Sequence, residues 1–468
     1  MLKIRLKYLS FFLGLISLLS FFNILYSYYF NLYLNLNNYF YTFLISGIFS
    51  IFFIKIKSIN KKPPLFDKIL TVTFGYFFIP LILSIPFYLS IYNLTFLNAL
   101  FESVSGFTST GFSIFENIKQ IDQSLILWRS TIQWVGGLYF LFSIIFLIDI
   151  YDESLKRSLT NFLSLNNSEI IKQTVKIFIL YFLLTLLIFT ILEILGLRTF
   201  NSLNLAMTLI SSGGFLPFND ISLILNTDLK KLVFSFLMLI SFFSIFFIYN
   251  LIFFKNRDKN FFYEDYNLLL YLIILILTFL LFFSYNNDFL NLIFLIFSSI
   301  SNIGISLNYE YNNLHFVFLL LVIVGGSFFS TSSGLRFIKI YSLVKFSLNQ
   351  ILSFSKPRNI FMNRLLFSRT NFEIDEINKY FLSIIIFIIS LFVLSSLLTF
   401  SGVNFEEGFK ISILTLMNTV NSHGYGIEEF DFQNIHYFTK YCLILFMIIG
   451  RIELLTLLLI IKKYLFKN

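Results

Sequence analysis

Four times along this chain a short apolar stretch ends in a small polar run and a glycine, and an apolar segment long enough to cross a membrane follows. The four are Phe101–Phe112, Leu203–Phe215, Phe294–Gly304 and Ile413–Tyr425. None of these stretches can itself cover the ~30 Å of a bilayer's hydrocarbon. Backbone that leaves helical geometry at that depth is tolerated only where protein or a water-filled cavity surrounds it. The pattern therefore calls for re-entrant half-helices around a shared cavity. The closing glycines, Gly111, Gly214, Gly304 and Gly424, are 103, 90 and 120 residues apart. Each unit reads as a spanning helix, a half-helix with its loop, and a second spanning helix, always in the same orientation.

With 57% hydrophobic and 13% charged residues, the chain cannot hide its apolar surface in a soluble globule. The expected fold is an all-α polytopic membrane protein of about ten transmembrane helices, near residues 8–30, 37–56, 68–92, 128–150, 171–195, 231–254, 265–284, 314–350 (interrupted), 377–400 and 437–464. Two extra helices (1–64) precede four parallel units around one pore (65–152, 153–260, 261–370 and 371–468). The net charge of +9 falls between spans rather than on one face, which argues against nucleic acid and reports topology instead. With the N-terminus cytoplasmic, the basic loops all land inside, and so does the C-terminus. The opposite side carries Glu116, Asp122, Asp220, Asp288, Glu310, Glu406, Glu407, Glu428, Glu429 and Asp431, a rim that would concentrate cations. One cysteine, Cys442, and three scattered histidines offer no metal cluster, and no cofactor is expected.

Glycine supports positive-φ backbone at little cost, so a loop can turn successive carbonyl oxygens toward an axis and replace the hydration shell of a monovalent cation. Neutral oxygen dipoles suit K⁺. The expected filter comprises Ser109, Thr110 and Gly111; Ser212, Gly213 and Gly214; Asn302, Ile303 and Gly304; and Ser422, His423 and Gly424. Beneath it, the glycines and hydroxyls of Gly325, Gly326, Ser327, Ser330, Thr331, Ser332, Ser333 and Gly334 interrupt the eighth span. Such chemistry is costly against lipid and acceptable lining a cavity. Arg451, near the middle of the last span, must face the pore or a partner carboxylate. The basic segment Lys345–Arg369 is a candidate docking surface for a cytoplasmic partner.

Several segments together resemble the Trk/Ktr/HKT superfamily of potassium transporters, specifically its Trk-type membrane subunit. They are Glu102–Gly111 (ESVSGFTSTG), Trp128–Gly137 (WRSTIQWVGG), Ser211–Phe215 (SSGGF), Gly325–Gly334 (GGSFFSTSSG) and Met447–Glu453 (MIIGRIE). The two leading helices favour the Trk over the Ktr type. The resemblance implies potassium uptake across a bacterial inner membrane, with Gly325–Gly334 and Arg451 as an intramembrane gate. It also implies a homodimer and a cytoplasmic nucleotide-binding, TrkA-like regulatory ring, the chain itself having no phosphate-binding loop. Gly111 favours potassium over a sodium-permeable relative, since a serine there goes with sodium preference in the superfamily. A carrier of organic solutes or a membrane enzyme is a more remote alternative. The chain departs from the family pattern at Ser301–Gly304 and at Ser422–Gly424.

Overall fold

A computed structural model describes residues 4–56, 63–148, 170–253, 262–283, 289–307, 314–354, 366–368, 374–427 and 430–452. Among these the backbone is helical, with one isolated bridge between Val324 and Leu335 and no named strand. Six helices are long and apolar enough to cross a membrane: Leu6–Tyr29, Tyr33–Lys55, Leu65–Tyr88, Lys172–Ile194, Tyr263–Phe282 and Ile374–Phe400. The protein is a multi-pass membrane protein.

The first two helices, α1 (Ser10–Tyr29) and α2 (Leu36–Lys55), form a hairpin whose seam is built from small residues. A methyl group at Gly14 would lie 3.1 Å from Ser50 Oγ, and one at Gly47 3.3 Å from Ser17 Oγ. Such residues let helix backbones approach where lipid supplies no hydrophobic drive. Ser20 Oγ donates to Tyr39 O (2.6 Å) and Ser50 Oγ to Ser10 O (2.9 Å) across the same seam.

Four helix, half-helix, helix units follow. Unit 1 is α3 (Leu65–Leu83), α4 (Phe96–Phe107) and α5 (Gln123–Phe146). Unit 2 is α6 (Ile170–Ile194), α7 (Thr199–Ile210), α8 (Asp228–Phe242) and α9 (Ile245–Ile252). Unit 3 is α10 (Tyr263–Phe283), α11 (Phe289–Ile300), α12 (His315–Ile323) and α13 (Phe337–Leu352). Unit 4 is α14 (Ile374–Phe400), α15 (Phe405–Leu416) and α16 (Tyr437–Ile452). Each half-helix, α4, α7, α11 and α15, has 12 residues, about 18 Å at helical rise and too short to span.

Two expectations about spans are corrected. Helix α5 starts at Gln123, not near 128, because it is buried on almost every face and so tolerates Arg129, Thr131 and Gln133 in its first half. The single helix expected over 231–254 is two. Phe243 is extended (ψ 161°), Ser244 Oγ caps α9 by accepting from Phe246 N (3.3 Å), and Asp265 Oδ1 accepts from Ser244 N (2.9 Å). No proline or glycine marks the break. Its cause is the Gly325–Gly334 loop, whose Ser327 N and Ser332 N donate to Phe242 O and Ser241 O, each at 3.0 Å, while Phe329 O accepts from Ile245 N (3.2 Å). The last span is described only to Ile452, so Glu453 and the stretch expected to run to 464 lie outside the described residues, as do Lys356, Arg358 and Arg364 of the basic segment.

Candidate functional site

All four half-helices end in the same turn. Ser109, Ser212, Asn302 and Asn418 take left-handed φ values of 59°, 56°, 58° and 47°. The next amide in each loop reaches back five residues: Thr110 N to Ser105 O (2.9 Å), Gly213 N to Thr208 O (2.9 Å), Ile303 N to Ser298 O (3.1 Å) and Thr419 N to Leu414 O (2.9 Å). This closure satisfies a terminal carbonyl and turns the chain sharply out of the helix. In the first three loops a hydroxyl then braces the outgoing strand. Ser105 Oγ donates to Phe112 O (2.6 Å), Thr208 Oγ1 to Phe215 O (2.9 Å) and Ser298 Oγ to Ile305 O (2.6 Å). The fourth loop has Leu414 at that position and no such brace.

The loops interlock around a ring. Ser212 Oγ donates to Ser301 O (2.6 Å), Asn302 Nδ2 to Thr419 Oγ1 (3.3 Å) and Asn418 Nδ2 to Thr110 Oγ1 (3.0 Å). The ring brings together Ser109, Thr110, Gly111, Ser212, Gly213, Gly214, Asn302, Ile303 and Gly304, but not Ser422, His423 and Gly424. Gly111, Gly214 and Gly304 are each the fourth residue after their half-helix, and the fourth residue after α15 is Val420. A methyl at Gly111 would lie 2.9 Å from Gly214 Cα and 3.0 Å from Val420 Cβ, which places these residues in one knot. Gly424 instead sits in a one-turn helix, His423–Tyr425, against Leu295, with its carbonyl 3.0 Å from His315 Nδ1. His423 is exposed there. Matching glycine to glycine leads to Gly424, which lies apart from the other three. Matching Asn302 to Asn418, the residues that make the turn, would have found Val420.

The glycine pair of WRSTIQWVGG lets α5 press on the end of half-helix α4 and on α6. Methyls at Gly136 and Gly137 would lie 2.0 Å from Phe107 O and 2.7 Å from Tyr181 Oη. Gln133 Oε1 accepts from Phe215 N (3.3 Å). The motif's arginine forms a pair that sequence reasoning missed, although both residues were in view: Arg129 Nε donates to Glu102 Oε1 (2.8 Å), with both side chains buried. Arg129 also stacks 4.0 Å from the Phe215 ring centroid, and Glu102 accepts from Ile114 N (2.9 Å). Removing one member of such a pair strands a buried charge and costs about 3–5 kcal/mol. Glu102→Ala is therefore expected to cut the yield of monodisperse protein on size exclusion sharply, and the double variant Glu102→Ala/Arg129→Met to recover part of it.

On the half-helix N-terminal side the loops floor a cavity of about 540 Å³ lined by Gly111, Gly214 and Val420, with Glu116 and Asp431 exposed at its edge. Of the expected acidic rim, Asp288, Glu310, Glu428 and Glu429 lie outside the described residues.

On the other side lies the Gly325–Gly334 loop. Its ends are tied, Gly325 N to Leu335 O (2.9 Å) and Leu335 N to Ile323 O (3.0 Å). Ser327, Ser330, Thr331, Ser332 and Ser333 are all buried. Thr331 Oγ1 donates to Ile210 O (2.7 Å), at the C-terminus of half-helix α7. Arg336 Nη1 holds the loop's shape through Ser327 O (3.0 Å), Ser330 Oγ (3.2 Å) and Ser332 O (3.1 Å). Arg451 bridges loop and ring, donating to Ser333 Oγ and to Ser109 Oγ, the latter at 3.4 Å. Phe140 lies under both guanidinium groups, 4.9 Å from Arg336 and 4.0 Å from Arg451. Among the described residues no carboxylate lies within ion-pair distance of Arg451.

No family model matches the sequence. An uncharacterised cation transporter of Methanocaldococcus jannaschii is 31% identical over 202 residues, which cover 39% of this chain and 41% of that protein. The Trk system potassium uptake protein TrkG of Escherichia coli is 24% identical over 398 residues, 80% of each chain. The crystal structure of the potassium transporter TrkH from Vibrio parahaemolyticus superposes with a TM-score of 0.78 at 19% identity, covering 97% of both chains. The chain is a relative of the Trk-type membrane subunits. In this chain the fourth loop carries a valine, Val420, where the other three carry a glycine.

Proposed function

We propose that this chain carries potassium ions into the cell through the ring formed by Ser109–Gly111, Ser212–Gly214, Asn302–Gly304 and Asn418–Val420. The observation that carries the reading is the same left-handed turn and five-residue closure in four separate half-helices, meeting beneath one cavity. The half-helices aim their C-terminal dipole ends at the meeting point, which favours a cation there. The loops offer it backbone oxygens. Glu116 and Asp431 raise the local cation concentration. The relatives' names supply the ion. In this reading the Gly325–Gly334 loop and Arg451 form the gate, and the protein works as a homodimer in a bacterial inner membrane under a TrkA-like nucleotide-binding ring, with both termini in the cytoplasm.

Flux from purified protein in liposomes under opposed K⁺ and Na⁺ gradients tests the reading; absence of K⁺ flux, or of any preference over Na⁺, overturns it. Gly111 carries the sharpest prediction. Its φ is +83° and its Cα has no room beside Gly214 and Val420. Gly111→Ser, which adds a β-carbon to left-handed backbone, is expected to lower the K⁺/Na⁺ permeability ratio at unchanged membrane abundance.

A further inference from the structure

Three of the four loops present a glycine at the ring and the fourth presents Val420. Resting on the reading of these loops as a cation path, we propose that the Val420 side chain is an apolar constriction on the axis that sets, by size, which ions pass and how fast.

The hydrogen bonds between loops run from unit 2 to 3, 3 to 4 and 4 to 1. Unit 2 is therefore across the ring from unit 4. Yet a methyl at Gly214 would lie 2.3 Å from Val420 Cβ and 2.7 and 3.0 Å from its two γ-carbons. The same group would meet Val420 Cβ at 3.0 Å from Gly111, and Val420 Cγ1 at 3.0 Å from Gly304. One side chain thus packs on the ring glycines of all three other units, including the opposite one. A ring that holds a cation between its carbonyl oxygens keeps opposite Cα atoms apart. Here the isopropyl group fills that space, and it offers no oxygen to a dehydrating ion.

The valine sits on the least tethered part of its loop. Asn418 is fixed by Met447 O (2.9 Å) and Thr110, and Gly424 is packed on Leu295. Between these anchors, Val420 and Asn421 make no hydrogen bond among the described residues, and the hydroxyl brace of the other loops is replaced by Leu414. The constriction can move aside, and each passage requires that it does.

The test compares wild type with Val420→Ala and Val420→Gly for K⁺, Na⁺, Rb⁺ and Cs⁺ flux in liposomes, at equal reconstituted protein. Opening the axis is expected to raise K⁺ flux by roughly tenfold in the glycine variant, with the alanine variant between. The gain should grow with ionic size, least for Na⁺ and most for Cs⁺, an ordering that general loosening of the fold would not give. A paired variant guards against misfolding. Gly214→Ala alone should block flux by collision with Val420, and Gly214→Ala/Val420→Gly should restore it. Normal wild-type K⁺ flux, unchanged in both Val420 variants or without rescue of Gly214→Ala, overturns the constriction and leaves the ion path standing. Absence of K⁺ flux in wild type and in every variant overturns the path itself, and the constriction with it.

Discussion

Deleting Phe328 to Ser332 is expected to raise K⁺ flux per folded protein by roughly tenfold or more. The five residues contain Thr331, which bonds Ile210 O under half-helix α7, and Ser332, whose amide bonds Ser241 O. They also supply two of the three groups that hold Arg336 to the loop. In the proposed gate, removing them takes away the body of the obstruction while its base persists, because Gly325 N to Leu335 O and Leu335 N to Ile323 O join the loop ends independently of what lies between. The remaining Gly325, Gly326, Ser327, Ser333 and Gly334 can close that base without dragging α12 or α13. Flux in liposomes at matched protein is the readout, and a rate equal to wild type would remove the loop from any role in gating.

Arg451→Ala carries the second large effect, and the structure chooses between two outcomes that the sequence leaves open. A guanidinium at membrane depth costs ~3 kcal/mol or more unless it is compensated. Loss of one half of a buried ion pair would be paid in folding. Arg451 has hydroxyls and the face of Phe140 as its neighbours, with no carboxylate beside it among the described residues. Its removal therefore strands no opposite charge. It deletes a fixed cation directly below the ring and unties Ser333 from Ser109. K⁺ conductance should rise several-fold at normal yield, and a low yield with unchanged conductance per folded protein would show the residue to be structural instead.

Much of this arrangement is legible before any coordinates. Hydropathy gives the spanning helices, and the brevity of Phe101–Phe112 and its counterparts gives the half-helices, because a bilayer sets a minimum length for crossing. The intramembrane loop announces itself through Gly325, Gly326 and Gly334, since glycine and hydroxyl clusters have no place against lipid. Two features of the site are not legible. The left-handed turn is made by Ser109, Ser212, Asn302 and Asn418, small polar residues that look ordinary in sequence, so a match by glycines leads to Gly424 rather than to Val420. The pairing of Glu102 with Arg129 joins residues on different helices, and no periodicity within either helix reports it.

The break between α8 and α9 has a consequence for how the protein is made. Within Asp228–Ile252 only the Ser244 cap marks the bend, and the groups from other segments that hold it arrive later: Asp265, then Ser327, Phe329 and Ser332. A ribosome delivers these residues in order. The Asp228–Ile252 segment therefore lacks most of the hydrogen bonds of its elbow until most of the third unit has been synthesised and has packed beside it. The conformation of this segment is deferred information, stored roughly eighty residues downstream, at about 5–20 residues per second of translation several seconds into the future.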